Sequence, residues 1–204
     1  MHSMSQSRLS HANKGDINAD QSSAHLDAII ARGPSFCHSL LDFRAGDAET
    51  GNGARMSDAA VNRFAKACPN LVHVSLDGAI HLTDESLLAF FTNCPNLRYI
   101  QFSGNDKVAG KLRGSALDAL KEKPDVGKKL VKLRLTDQVE FDKTFKATVK
   151  ALSAARKRLA IEVGNTHERH GDVNTWLGGK EKHGYQAFDG PGGFDSYGGF
   201  GAPF

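Results

Sequence analysis

Two stretches of this chain are versions of one another. Residues 56–71 read MSDAAVNRFAKACPNL and residues 82–97 read LTDESLLAFFTNCPNL. At an offset of 26 they align Met56/Leu82, Ser57/Thr83, Asp58/Asp84, Val61/Leu87, Phe64/Phe90, Cys68/Cys94, Pro69/Pro95, Asn70/Asn96 and Leu71/Leu97. A period of this size marks an architecture of stacked like units, in which no unit buries its apolar side without its neighbours.

Each closing Leu opens a short pattern, apolar at its first, fourth and sixth positions: Leu71-Val74-Leu76, then Leu97-Ile100-Phe102. The last two steps alternate as a strand does. The pattern predicts further strands at Leu130-Leu133-Leu135 and at His38-Leu41-Phe43, each 33 residues from the nearest copy, and at Arg158-Ile161-Val163. The longer offsets place insertions of about seven residues in two turns, GDAETGNGAR and the segment around NDKVAGK.

Between the strands, apolar spacing predicts helices over 57–67, 84–93, 114–122 and 142–157. Leu87, Leu88 and Phe91 share a face in the second, and Phe145, Val149 and Leu152 in the fourth. Ser57 and Thr83 stand where a hydroxyl satisfies the first amides of a helix, with Asp58 and Asp84 beside its positive end.

The unit L-x-x-L-x-L, followed by a T-D helix start and a closing C-P-N-L, resembles the cysteine-containing class of leucine-rich repeats found in F-box substrate adaptors and in the fungal antagonist of mitotic exit network protein. The resemblance spans residues 36–164 and is strongest over 56–102. It departs from the family at the mid-loop Asn/Cys position, which holds Ala79, Asn105 and Gln138 in successive copies. It implies an α/β leucine-rich-repeat solenoid: a short right-handed strand–helix superhelix with a parallel sheet on its concave side. It also implies non-catalytic protein recognition, as a substrate-recognition or regulator-sequestering component linked to ubiquitin-ligase or cell-cycle control. No F-box pattern precedes the repeats.

The expected organisation is a polar, disordered segment over 1–35, the repeat domain over 36–164, and a Gly/aromatic-rich disordered tail over 165–204. Residues 164–204 hold 11 of the 21 Gly, and a stretch so poor in aliphatic side chains does not recover its ordering entropy.

Strand alternation then selects a binding face. The side chains beside the two buried positions point away from the helices: Leu40, Asp42 and Arg44; His73, Ser75 and Asp77; Tyr99, Gln101 and Ser103; Lys132, Arg134 and Thr136; Ala160 and Glu162. This polar surface of mixed charge, centred on an aromatic, suits a protein partner, because Tyr and Arg often dominate binding energy.

Other chemistry finds little support. Cys68 and Cys94 end equivalent helices and read as packing residues. His167 and His170 have H-x-x-H spacing with His183 nearby, but lack the defined scaffold that a zinc site needs, so no metal and no cofactor is expected. The Gly51-Asn52-Gly53 cluster lacks the Lys-Ser/Thr of a phosphate loop, and no catalytic order of Ser, His and Asp appears, so the chain is not expected to be an enzyme.

Residues 105–163 carry 15 Lys and Arg against 8 Asp and Glu in a chain of formal charge +3. Lys128, Lys129, Lys132, Arg156, Lys157 and Arg158 are the densest part. With the Gly/Phe tail, this region supports an alternative role in binding RNA or other nucleic acid. Three cysteines without a C-x-x-C, no secretory signal and no long apolar run point to a cytoplasmic or nuclear monomer away from membranes.

Overall fold

A computed structural model describes residues 23–47, 55–105, 107–138, 143–166 and 172–185. Its centre is a seven-stranded sheet whose spatial order follows chain order: β1 (Asp42–Gly46), β2 (His73–Asp77), β3 (Tyr99–Ser103), β4 (Lys132–Thr136), β5 (Ala160–Gly164), β6 (Asp172–Leu177) and β7 (Lys180–Tyr185). The first five strands are parallel, and the last two run antiparallel. Parallel neighbours need a crossover. Each crossover carries a helix: α3 (Asp58–Ala67), α4 (Asp84–Asn93), α5 (Ser115–Glu122) and α6 (Lys143–Ala155).

These helices match the spans expected from sequence, and each packs on the next. Phe64 and Phe90 are fully buried between sheet and helices. A chain of aromatic contacts threads the interior, from Phe43 to Phe64 at 4.5 Å, on to Phe90 at 6.4 Å and to Phe102 at 6.2 Å. Such pairs contribute about 0.5–1.5 kcal/mol each beyond their buried area. In α4 the inward side chains are Leu87, Phe90 and Phe91, whereas Leu88 is turned toward solvent. The expected pairing of Leu88 with the core is thereby corrected: it lies one helical step beyond the buried arc.

The helix starts are joined from one crossover to the next. Ser57 Oγ accepts from Ala60 N at 3.3 Å and Thr83 Oγ1 from Glu85 N at 3.2 Å, as N-caps should. Asp58 stands in the first turn of its own helix and also reaches the next one. Its carboxylate accepts from Thr83 N and Thr83 Oγ1, both at 2.9 Å, and from Ser86 Oγ, so it anchors the start of α4. Asp84 repeats the arrangement one unit on, accepting from the amides of Arg113 at 2.7 Å, Gly114 at 3.1 Å and Ala116 at 3.0 Å. Gly114 is the N-cap of α5 and has no side chain to offer, so Asp84 supplies the missing acceptor.

Registers β2–β3, β3–β4 and β4–β5 align Val74, Ile100, Leu133 and Ile161 in one row, at the offsets read from sequence. The first copy differs. Phe43 pairs with Val74 and Ala45 with Leu76, two residues away from the expected Leu41 and Phe43. Leu40 N–H closes the turn onto Cys37 O and precedes the strand, while Leu41 is 56% exposed. Because the shift is an even number, Asp42 and Arg44 keep their face.

Regular structure extends past the expected domain limits at both ends. The helices α1 (Ser23–Ile30) and α2 (Pro34–Ser39) lie wholly or partly within the segment expected to be disordered. Leu26 is buried against the core, and Asp27 holds Arg63 through both carboxylate oxygens at 2.8 Å. At the other end, the hairpin β6–β7 occupies part of the expected tail. Val173 and Trp176 turn inward at 5% and 6% exposure, and Trp176 pairs with Ile161. Gly178 and Gly179, at φ 58° and 77°, form the tight turn that two left-handed residues allow. Gly179 N then donates to Ser153 Oγ of α6 at 3.0 Å. The remainder of the two predicted segments, 1–22, 167–171 and 186–204, lies outside the described residues. Among the described residues no helix is long and apolar enough to cross a membrane.

Candidate functional site

The helices cover one side of the parallel strands, and the other side presents side chains in three rows. The register sets Asp42, His73, Tyr99, Lys132 and Ala160 in the first row, Arg44, Ser75, Gln101, Arg134 and Glu162 in the second, and Gly46, Asp77, Ser103, Thr136 and Gly164 in the third. Of the fourteen side chains that alternation selects, thirteen therefore lie on one face, and Leu40 does not. Eight of them, from Arg44 to Arg134, line an open groove of about 530 Å³.

Tyr99 is held at the middle of this groove. Its hydroxyl donates to Gln101 Oε1 at 2.6 Å, and Gln101 Nε2 donates to Asp77 Oδ1 at 2.7 Å. Ser103 Oγ adds a bond to Asp77 Oδ1 at 3.0 Å, and Ser75 Oγ one to Oδ2 at 3.3 Å. The Asp77 carboxylate thus orients the Gln101 amide, which fixes the phenol. The His73 ring meets Tyr99 edge-on at 4.3 Å, and Lys132 Nζ stands 6.0 Å from its centroid. Burial pushes the Tyr99 hydroxyl above its ordinary range, with the Glu162 and Asp77 charges adding to the rise, so it remains a donor near neutrality.

Ser75, Ser103 and Thr136 are the most enclosed side chains of this face, at 7%, 4% and 2% exposure. Ser75 and Ser103 support Asp77 from below. Thr136 lies where the 104–112 segment crosses, with Gly104 N donating to Thr136 O at 3.0 Å and Gly110 N to Asp137 O at 2.8 Å.

Charge on this face is arranged in small clusters. Asp42 accepts from Arg44 Nε at 3.2 Å and faces His73 Nδ1 at 3.1 Å. Burial lowers the His73 pKa from 6.5, partly opposed by Asp42. Glu162 takes Lys132 Nζ at 2.8 Å on Oε1, while Arg134 Nε stands 3.8 Å from Oε2. That Arg134 Nε–H is buried and has no hydrogen-bond partner.

Three members of the basic cluster read from sequence have partners within the fold. Arg156 donates to the carbonyls of Leu120, Lys123, Val126 and Gly127 at 2.6–3.1 Å, tying the end of α5 and its turn to α6. Lys129 donates to Asn96 Oδ1 at 2.6 Å, and Lys132 belongs to the sheet face.

Cys37, Cys68 and Cys94 are buried free thiols, and burial pushes Cys68 and Cys94 up to about 12. Among the described residues, no three His, Cys, Asp or Glu side chains converge as metal ligands. His183 pairs with Asn174 at 3.1 Å, and His167 and His170 lie outside the described residues.

Local alternation shows which residues face outward but not the Tyr99–Gln101–Asp77 network, in which Gln101 and Ser103 reach Asp77 across 24 and 26 residues. No protein-family model and no curated protein matches this chain.

Proposed function

We propose that this protein is a non-catalytic protein-recognition module, built as a short leucine-rich-repeat solenoid and binding its partner on the open face of the parallel sheet. The observation that carries this reading is the immobilised Tyr99 at the centre of the groove. An aromatic side chain fixed before binding loses little further entropy when a partner packs on it, and it is the residue type that most often dominates an interface. The surrounding groups, Arg44, His73, Lys132 and Arg134, form a polar rim of the kind that sets register and partner choice. Repeat architecture supports the same reading, because a sheet built from like units presents aligned rows of side chains to an extended partner.

The triple variant Tyr99→Ala, Lys132→Ala, Arg134→Ala tests the reading in affinity capture after nuclease treatment, with the melting temperature as control. Loss of a defined protein partner at an unchanged melting temperature is expected. Unchanged capture would place the interface elsewhere. Recovery of a cullin-type scaffold with the wild-type chain would extend the reading to the ubiquitin-ligase setting implied by the resemblance. Partners that disappear on nuclease treatment, with affinity falling steeply in salt, would instead favour nucleic acid.

A further inference from the structure

We infer that the groove recognises an acidic side chain of an extended protein segment, received by Arg134 beside Tyr99; the inference rests on the sheet face being the interface. The starting point is a mismatch of charges at the β4–β5 end of the face. Two cations, Lys132 and Arg134, share the one carboxylate of Glu162, and Lys132 holds the close position at 2.8 Å. Arg134 is left at 3.8 Å, beyond hydrogen-bond distance, with its Nε–H buried and unpartnered.

A guanidinium offers five donors in a fixed fork that matches a carboxylate. A buried donor without an acceptor costs free energy that an incoming acceptor restores. Arg134 therefore has both the charge and the bonding capacity to take a second carboxylate, in a side chain that is 21% exposed and lines the groove.

The anionic side of the face does not invite the opposite chemistry. The oxygens of Asp77 already accept three hydrogen bonds, from Gln101, Ser103 and Ser75. Asp42 is paired with Arg44. The three carboxylates Asp42, Asp77 and Glu162 also oppose the approach of a polyanion, which favours one acidic side chain over a nucleic-acid backbone.

The test follows the Arg134 Nε–Hε resonance of the isotope-labelled full chain by NMR. The probes are a capped pentapeptide of alternating glycine and glutamate, its glutamine counterpart, inorganic phosphate and a short oligothymidylate. The glutamate peptide is expected to shift the resonance to saturation, and the glutamine peptide to leave it in place. Backbone amides of Gln101 and Lys132 report the variants. Arg134→Gln should weaken the glutamate peptide at least about tenfold, as loss of a charge-assisted pair does. Glu162→Gln removes the competing carboxylate and should tighten it by about three- to tenfold.

An unmoved resonance overturns the inference. So does an equal response to glutamine, weaker binding in Glu162→Gln, or a response to phosphate or oligothymidylate at lower concentration than to the glutamate peptide. If the peptide has no effect while the triple variant still abolishes capture, acidic specificity fails and the interface stands. If the peptide binds but the triple variant leaves capture unchanged, the partner-binding reading fails.

Discussion

His73 on the open face and Arg156 on the helical side each carry a burial effect that can be measured. His73 has its pKa lowered by burial, so the folded chain binds fewer protons there than the unfolded chain. Its contribution to stability is complete above pH 6.5 and is lost as the pH falls below that value toward the folded pKa. The imidazole resonances should titrate with a midpoint below 6.5, and His73→Gln should flatten this part of the stability–pH curve; a midpoint above 6.5 would refute the burial argument. Arg156 is a cross-brace despite its place in a basic run. Arg156→Met should lower the unfolding free energy by about 2–3 kcal/mol in urea titration, because several carbonyls lose a charged donor. Cys68 and Cys94 should resist a thiol reagent at pH 8 until the chain unfolds, since burial keeps both thiols protonated.

At the scale of elements, Asp84 is the most informative position. It is 8% exposed and accepts from the amides of three residues at the next helix start. Asp84→Ala should destabilise by about 2 kcal/mol, at the upper end of capping effects. Asp84→Asn retains one acceptor and should cost less, a ranking that paired thermal melts can check. Trp176→Ala should cost about 3–5 kcal/mol, because the ring seals the core at its last parallel strand.

Strands and helices are largely legible from the chain because Val74/Leu76 and its equivalents alternate cleanly and CPNL closes both units of the 56–97 repeat. The copy around Phe43 was misplaced by two residues because CHSL, the counterpart of CPNL, lacks its Pro and Asn. The hairpin was hidden by composition: averaged over the last forty or so residues, glycine dominates and masks the Val173–Trp176 strand before its Gly-Gly turn. Asp58 and Asp84 stand in the first helical turns as expected, but their bonds to the next helix start are not legible locally, since sequence reports a helix start and not which neighbour an acidic side chain reaches.

For the whole molecule, the two sides of one sheet differ in character. The helical side builds the core and its caps, while the opposite side holds an oriented tyrosine amid paired charges. The most direct measurement is site-specific photo-crosslinking, with p-benzoylphenylalanine placed at position 99 on the open face or at position 88 on the helical side, where Leu88 is exposed. In nuclease-treated extract, position 99 should yield a discrete covalent adduct with a protein, and position 88 should yield none. Protein adducts from position 88 alone, or only nucleic-acid adducts from position 99, would contradict the account.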